Sequence, residues 1–270
     1  MPRRLLAILA VIGLFGLVAC QGAPAVPALS DPKDILARTV LSLKDIKTIT
    51  IHGELTGTAT IPGSGTIDLK GTTLDAAYDI AGKKGRFAVS APSLLGTTAE
   101  VLYVDNAAYY KITGPLASTL GADPTGKYKK TAVTPAGTDP NAIASDPNAA
   151  IDKIKAALDK LPTPPTRAAN EKCGDKDCYH IVLTLSDKDL AAMSATASPA
   201  PTPMATPTAG ASGTPFTFTI DVWSQTDNLR PAKLAVSLDA GTTGKGSLTL
   251  TMTYDQAVDV SAPPADQIVP

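Results

Sequence analysis

Every second residue is apolar in three stretches near the C-terminal end of the chain. The stretches cover residues 216–222, 234–238 and 248–254, and polar or glycine-rich segments separate them. A period of two is typical of β-strands that have one buried face and one solvated face. The pattern therefore predicts antiparallel strands joined by turns.

The same alternation runs through the first half of the chain. It covers residues 49–59 and 67–69, and it returns in further short segments up to residue 113, separated by glycine-rich or polar turns. Asp105-Asn106 has the composition of a tight hairpin turn. This half is predicted to form a long antiparallel meander, followed by a loop over residues 115–145 and one more strand over residues 179–185.

Two segments have the 3.6-residue period of amphipathic helices instead. Asp31-Pro32 and Asp146-Pro147 each offer a side-chain N-cap followed by a proline suited to the first helical position. The predicted apolar faces are Ile35, Leu36, Thr39, Val40 and Leu43 in the first helix, and Ile151, Ile154, Leu158 and Leu161 in the second.

These elements predict an α+β fold, with a large curled antiparallel sheet of about nine to eleven strands and two main helices over its apolar concave face. An alternating apolar stripe usually belongs to an ordinary core. Here only two helices cover many apolar strand faces, and aromatic residues make up only 4% of the chain. We therefore expect an apolar cavity under the helices, with walls suited to flexible acyl chains.

Strand phase alone selects the residues that would line this cavity, and a single bulge would turn one strand's set to the opposite face. The candidates are Leu55, Leu69, Phe87, Val89, Leu102, Tyr110, Ile112, Leu183, Phe218, Ile220, Leu234, Val236, Leu250 and Met252.

The N-terminus has the order of an export signal. Arg3 and Arg4 precede an apolar run of about 14 residues, which is shorter than the roughly 20 residues of a bilayer span. Leu17-Val18-Ala19-Cys20 resembles the bacterial lipobox, in which the cysteine thiol receives a diacylglycerol and becomes the mature N-terminus. The alternative is an ordinary signal peptide with a chance cysteine.

The chain therefore divides into a predicted lipoprotein signal peptide (1–19), a lipidated Cys20 with a flexible tether (20–30), one domain (31–262) and a C-terminal tail (263–270). Residues 195–214 are almost wholly Ala, Ser, Thr, Pro and Gly, and this composition predicts a disordered insert in the domain. We expect the protein to be lipid-anchored at the extracytoplasmic face of the cell membrane.

Charge and cysteine content narrow the function further. The net charge is −1, and no basic field exists for nucleic acid. Cys173 and Cys178 form an even pair in an exported chain, which favours a disulfide over reactive or metal-binding thiols. His52 and His180 are predicted to be solvent-facing strand residues. With no catalytic, metal or cofactor motif in the sequence, we expect a protein that is not an enzyme.

The segments 216–223 (FTFTIDVW), 230–233 (RPAK), 254–268 (YDQAVDVSAPPADQI), 102–111 (LYVDNAAYYK) and 46–49 (IKTI) together resemble the LppX/LprG group of actinobacterial lipoproteins. That group is similar in fold to the LolA/LolB carriers. The resemblance implies a half-barrel closed over by helices around a hydrophobic cavity that holds lipids or acylated glycolipids. The insert at 195–214 and the loop at 115–145 depart from the group and leave the lipid class open.

The sequence thus predicts a lipoprotein that binds a lipid or acylated glycolipid and carries or retains it in the cell envelope. Its expected partners are that ligand, the membrane that holds its anchor and an envelope transporter, and we expect a monomer. The alternative is a surface lipoprotein with a filled core that docks another envelope protein.

Overall fold

The computed structural model describes residues 29–61, 65–132, 147–187, 189, 216–241 and 244–269. The predicted signal peptide, Cys20 and the predicted insert at 195–214 lie outside these residues. Within the unit that starts at Asp31, the described helices are α1 (Pro32–Ser42) and α2 (Pro147–Asp159), with short 3₁₀ helices at Leu43–Asp45 and Ala265–Gln267.

The strands are β1 (Thr48–Ile61), β2 (Gly65–Asp68), β3 (Thr72–Asp79), β4 (Lys84–Ala91), β5 (Thr97–Val104), β6 (Ala107–Thr113), β7 (Lys129–Ala132), β8 (Thr166–Arg167), β9 (Glu171–Cys173), β10 (Lys176–Ser186), β11 (Thr217–Gln225), β12 (Pro231–Asp239) and β13 (Gly244–Tyr254). They form one sheet in the order β7-β6-β5-β4-β3-β1-β13-β12-β11-β10-β8, with β2 beside β1 and β9 beside β10.

The predicted fold class is confirmed: one curled antiparallel sheet with two main helices. The described residues contain thirteen strands rather than nine to eleven, because no pattern in the sequence marks β7, β8 and β9. These strands have two to four residues and no apolar alternation, and backbone pairing with β6 or β10 defines them. β7 lies in the stretch that was predicted to be loop.

Helix α1 begins where the sequence predicts. The carboxylate of Asp31 accepts a hydrogen bond from the backbone N–H of Lys33 at 2.9 Å, and Pro32 occupies the first helical position. Ile35, Leu36 and Val40 are buried on one face. This capping satisfies a backbone donor that has no partner inside the helix.

The register gives the sheet two distinct faces, since residues directly opposite each other in antiparallel strands point to the same side. We call the side beneath α1 and α2 the helix face. One in-register row on this face is Leu74, Gly53, Leu250, Leu234, Val222 and Ile181.

The opposite side, the tail face, holds a separate core under the C-terminal segment. Leu102 and Tyr109 pack there with Tyr128 and Val260. The backbone of Tyr128 also accepts from Val269 at 2.9 Å and donates to Gln267 at 2.8 Å. The end of the chain is therefore fastened across this side of the sheet.

Among the described helices, none has both the length and the apolar character needed to cross a bilayer.

Candidate functional site

An apolar cavity of about 260 Å³ lies between the two helices and strands β10–β13. Helices and strands both contribute to its wall. The lining residues are Leu36, Thr39, Val40, Leu43, Ile154, Leu158, Ile181, Leu183, Ile220, Val222, Pro231, Leu234 and Met252.

The wall offers no free polar group to a ligand. Thr39 is the one lining residue with a polar side chain, and its hydroxyl donates to the carbonyl of Ile35 at 2.8 Å. The same oxygen hydrogen bonds with the Ser224 hydroxyl at 2.7 Å. A cavity of this kind holds water poorly and accepts apolar groups, because water needs two or more polar partners.

The volume restricts what enters. It exceeds the roughly 150 Å³ of a dry engineered cavity that binds benzene. It falls just below the about 300–1,000 Å³ typical of sites for drug-sized ligands. The space therefore suits one slender apolar group, such as a segment of an acyl chain, and excludes a bulky polar headgroup.

The cavity reaches the surface beside helix α2. Ile154 lines the cavity and is still 48% exposed, whereas Ile181 and Leu183 on the floor are buried. A large aliphatic side chain exposed at this point marks an apolar mouth.

Ion pairs at the surface connect helix α2 with α1 and with the 3₁₀ helix that follows α1. Lys44 and Asp152 form an ion pair of 2.6 Å, and Lys33 approaches Asp159 at 4.0 Å. All four side chains are about one-third exposed or more, and exposed pairs contribute little to stability. Among the described α2 side chains, Ile151 is the one that is buried.

Four of the residues selected by strand phase line the cavity: Leu183, Ile220, Leu234 and Met252. The register places eight more on the helix face outside it: Leu55, Phe87, Val89, Tyr110, Ile112, Phe218, Val236 and Leu250. All eight are partly exposed. Leu69, also partly exposed, follows β2 and donates its backbone N–H to Gly57.

The prediction for Leu102 is wrong. Leu102 pairs with Tyr109 and is buried on the tail face, whereas Tyr110 points to the helix face. Strand β5 has apolar residues in both phases, because helix-face Val101 alternates with tail-face Leu102 and Val104. Alternation therefore cannot assign this strand, and only the packing of the C-terminal segment does.

Several lining residues were missed as site residues. Leu36, Val40, Leu43, Ile154 and Leu158 belong to the helix faces that the sequence identified, and that signal could have placed them in the wall. Ile181 and Val222 share the strand phase of Leu183 and Ile220, which could have found them. Pro231 carries no such signal.

The two histidines lie on the tail face, away from the cavity. His52 is half-exposed, and its Nδ1 lies 2.7 Å from the Asp75 carboxylate. That hydrogen bond raises the pKa of His52 above its ordinary value.

His180 is only 12% exposed, so the prediction of a solvent-facing residue is wrong there. Its ring stacks on Trp223 with centroids 4.3 Å apart. Glu171 and Asp221 lie 3.0 and 2.7 Å from its two nitrogens. The ring is covered because Trp223 and the β9 hairpin pack on it.

The disulfide between Cys173 and Cys178 is confirmed. It connects β9 with β10, where Cys178 is fully buried. Over the described ranges, no group of three or more His, Cys, Asp or Glu side chains is arranged to hold a metal ion.

The solved structures to which the chain is similar include the following three. LppX of Mycobacterium tuberculosis is 10% identical, with 85% of this chain and 98% of that one covered at a TM-score of 0.46. LprF of Mycobacterium bovis is 13% identical, with 86% and 96% covered at 0.47. A LolA superfamily protein of Nitrosomonas europaea is 10% identical, with 85% and 96% covered at 0.29.

No protein-family model matches the chain, and no curated protein matches it. The similar structures carry the names of the groups that the sequence resembles. What the chain binds is inferred below from the geometry of its own cavity.

Proposed function

We propose that the protein is a membrane-anchored extracytoplasmic lipoprotein that binds an acyl chain of a lipid or acylated glycolipid and carries or retains it in the cell envelope. The observation that carries this proposal is the 260 Å³ cavity, whose wall is apolar and whose one hydroxyl, on Thr39, is already hydrogen-bonded. Such a wall would select a ligand by its apolar surface area and its shape.

Binding energy would come from removing methylene groups from water. At about 0.8 kcal/mol for each buried methylene, six of them contribute roughly 5 kcal/mol before the costs of association. A cavity without polar anchors accepts chains of different length or saturation. Selectivity for a headgroup then has to come from outside the cavity.

The rest of a long chain would lie along the helix face. Phe87, Val236 and Leu250 are partly exposed there, beyond the cavity wall. An apolar face left open to water is unfavourable unless something covers it. An acyl chain that starts between the helices and continues over these side chains would provide that cover.

We assign no reaction to this site. The lining contains no carboxylate, amine, imidazole or thiol, and the Thr39 hydroxyl has no base beside it among the lining residues. The ligand would therefore be held and released unchanged.

The anchor part of the proposal rests on Cys20 in its lipobox-like context. A tether of about ten residues spans at most roughly 35 Å when extended, which keeps the domain near the membrane surface. Mass spectrometry of the N-terminal peptide from the native host tests this part. A diacylglyceryl group on Cys20 would support it, and an unmodified or absent Cys20 would refute it.

The ligand part is tested by uptake of a fluorescent fatty acid into the full chain. Leu234→Trp fills the cavity, and we expect it to weaken binding about tenfold or more, or 1.4 kcal/mol. Ala235→Trp is the matched control, because residue 235 is next in the strand and points to the tail face. The proposal would be refuted if the unaltered chain took up no fatty acid, or if both variants took it up equally. No uptake by the unaltered chain would favour the alternative, a lipoprotein that docks another envelope protein.

A further inference from the structure

Two leucines are presented to solvent at one end of the sheet. Leu95 lies in the turn between β4 and β5 and is 69% exposed, and Leu120 lies in the segment after β6 and is 57% exposed. We call residues 92–97 and 115–121 the loop-tip surface.

The two segments are neighbours in the fold. Thr98 and Thr113 pair at the ends of β5 and β6, so both segments leave the sheet at the same end of these strands. A Cβ added to Gly114 would lie 2.9 Å from the Cα of Thr97, which shows how closely the backbones approach. Leu95 and Leu120 therefore belong to one end of the molecule.

The turn that carries Leu95 is one that leucine disfavours. Leu95 and Gly96 have φ of 58° and 71°, and Thr97 donates its backbone N–H to Leu94, as in a type I′ turn. That turn prefers Asn, Asp or Gly at both central positions. The β5–β6 hairpin has those residues, with Asp105 and Asn106 at φ of 52° and 58°. An exposed leucine at this position is unfavourable both for the conformation of the turn and for hydration of the surface.

The charges around the loop-tip surface suit an anionic membrane. Residues 92–97 and 115–121 contain no charged side chain. Lys127 and Lys129 follow in the chain, and a Cβ on Gly71 would lie 3.9 Å from Pro92, which brings the turn containing Lys70 alongside. Lysines that flank apolar tips place their ammonium groups at headgroup phosphates.

The acidic residues nearby are occupied by local turns. Asp68 accepts a hydrogen bond from the backbone of Lys70, and Asp123 accepts from Thr125. A hydrogen bond does not cancel the charge of a carboxylate, so Asp68 and Asp123 offset two of the three lysines, and the rim keeps one net positive charge.

We propose that the loop-tip surface docks on an anionic bilayer, with Leu95 and Leu120 inserted among the lipids and the lysines at the headgroups. Two exposed leucines on short uncharged segments suit insertion into a fluid surface. A specific protein partner would instead need a patch of roughly 800 Å² on each side. The membrane setting rests on the proposed function, but these contacts are independent of the cavity.

The test places an environment-sensitive fluorophore on the full chain at Leu120→Cys. The control carries the label at Asp105→Cys, in the turn between β5 and β6 at the opposite end of β5. On mixed phosphatidylcholine and phosphatidylglycerol vesicles, the label at 120 should shift to the blue and be quenched by brominated lipid, and the label at 105 should do neither. Equal behaviour at the two positions would overturn the proposal.

The variant Leu95→Asn distinguishes an effect on membrane docking from an effect on protein stability. Asparagine suits the turn, so the unfolding temperature should rise or stay unchanged, while the blue shift at position 120 should fall several-fold. An unchanged shift would overturn the role of Leu95, and an equal shift on pure phosphatidylcholine would overturn the anionic preference. Fatty-acid uptake by the same variants should be unaltered, so failure of docking and failure of lipid binding are read separately.

Discussion

Thr39 of helix α1 and Ser224 of strand β11 hydrogen bond through their hydroxyls at 2.7 Å. They are 3% and 0% exposed, and Thr39 also lines the cavity. One buried polar contact thus fixes the helix to the sheet at the edge of an otherwise apolar site.

Thr39→Val should destabilise the fold by about 1–3 kcal/mol, because it leaves the buried Ser224 hydroxyl without this partner. Adding Ser224→Ala should recover part of that loss. Denaturant unfolding of the single and double variants measures the coupling. Ser237→Ala is the control, since its bond to Ser247 is part-buried and 3.2 Å long. A Thr39→Val variant as stable as the unaltered protein would contradict this role.

The ion pair between Lys44 and Asp152 joins helix α2 to the 3₁₀ turn after α1, and we expect the two elements to separate as a long chain enters. Replacing both residues by cysteine and joining them with a short bismaleimide should slow fatty-acid uptake by about tenfold or more, which corresponds to an increase of about 1.4 kcal/mol in the entry barrier. Stopped-flow fluorescence measures the rate.

The same linkage placed between Asp239 and Lys245 is the control, because that 2.7 Å pair joins β12 and β13 outside the cavity. If both cross-linked proteins take up ligand at the rate of the unmodified chain, α2 does not need to move.

Variants of Leu102 and Ile154 should distinguish residues that stabilise the fold from residues that bind the ligand. Leu102→Ala should lower the free energy of unfolding by about 2–5 kcal/mol, because it opens a hole in the tail-face core, and should leave uptake unchanged. Ile154→Ala should have a much smaller effect on stability, because Ile154 is exposed, and should weaken uptake. Thermal unfolding and fatty-acid titration measure the two effects. Weaker uptake in folded Leu102→Ala would contradict the assignment of faces.

The same two residues show how far the sequence could predict this molecule. Helix α1, its Asp31 cap and most strands follow from local pattern, since capping and alternation are encoded within a few residues. Ile154 also stands out on a predicted helix face. Leu102 could not be assigned, because β5 has apolar residues on both faces and the segment that covers Leu102 lies about 160 residues later in the chain.

Other features depend on contacts between distant parts of the chain. Strand β7 has the sequence KKTA, which shows no apolar alternation, and its place at the edge comes from pairing with β6. The cluster of Trp223 on His180 arises from cross-strand register. The volume of the cavity depends on how closely two helices pack on four strands, and no local pattern encodes that distance.

Glu100 should make the stability of the tail-face core depend on pH. Burial would raise the pKa of its carboxyl, but hydrogen bonds from Tyr128 at 2.6 Å and Arg86 at 2.7 Å outweigh burial and hold it below the ordinary value of 4.5. A lowered pKa in the folded state stabilises the fold above the unfolded pKa, and the benefit is lost as pH falls through the folded value.

Glu100→Gln should therefore reduce the loss of stability on acidification, and Tyr128→Phe should do so in part. Unfolding midpoints measured from neutral pH to about pH 3 test this, because that range crosses the unfolded carboxyl pKa. A variant with the same steep acid dependence as the unaltered chain would show that other carboxylates are responsible.

The most direct test of lipid binding is native mass spectrometry of the full chain purified from its own host. The expected result is a noncovalent lipid that stays with the unaltered protein and with Ala235→Trp, is released on collisional activation, and is missing from Leu234→Trp. An unaltered protein with no bound lipid, or one whose lipid is equally retained by Leu234→Trp, would contradict the account.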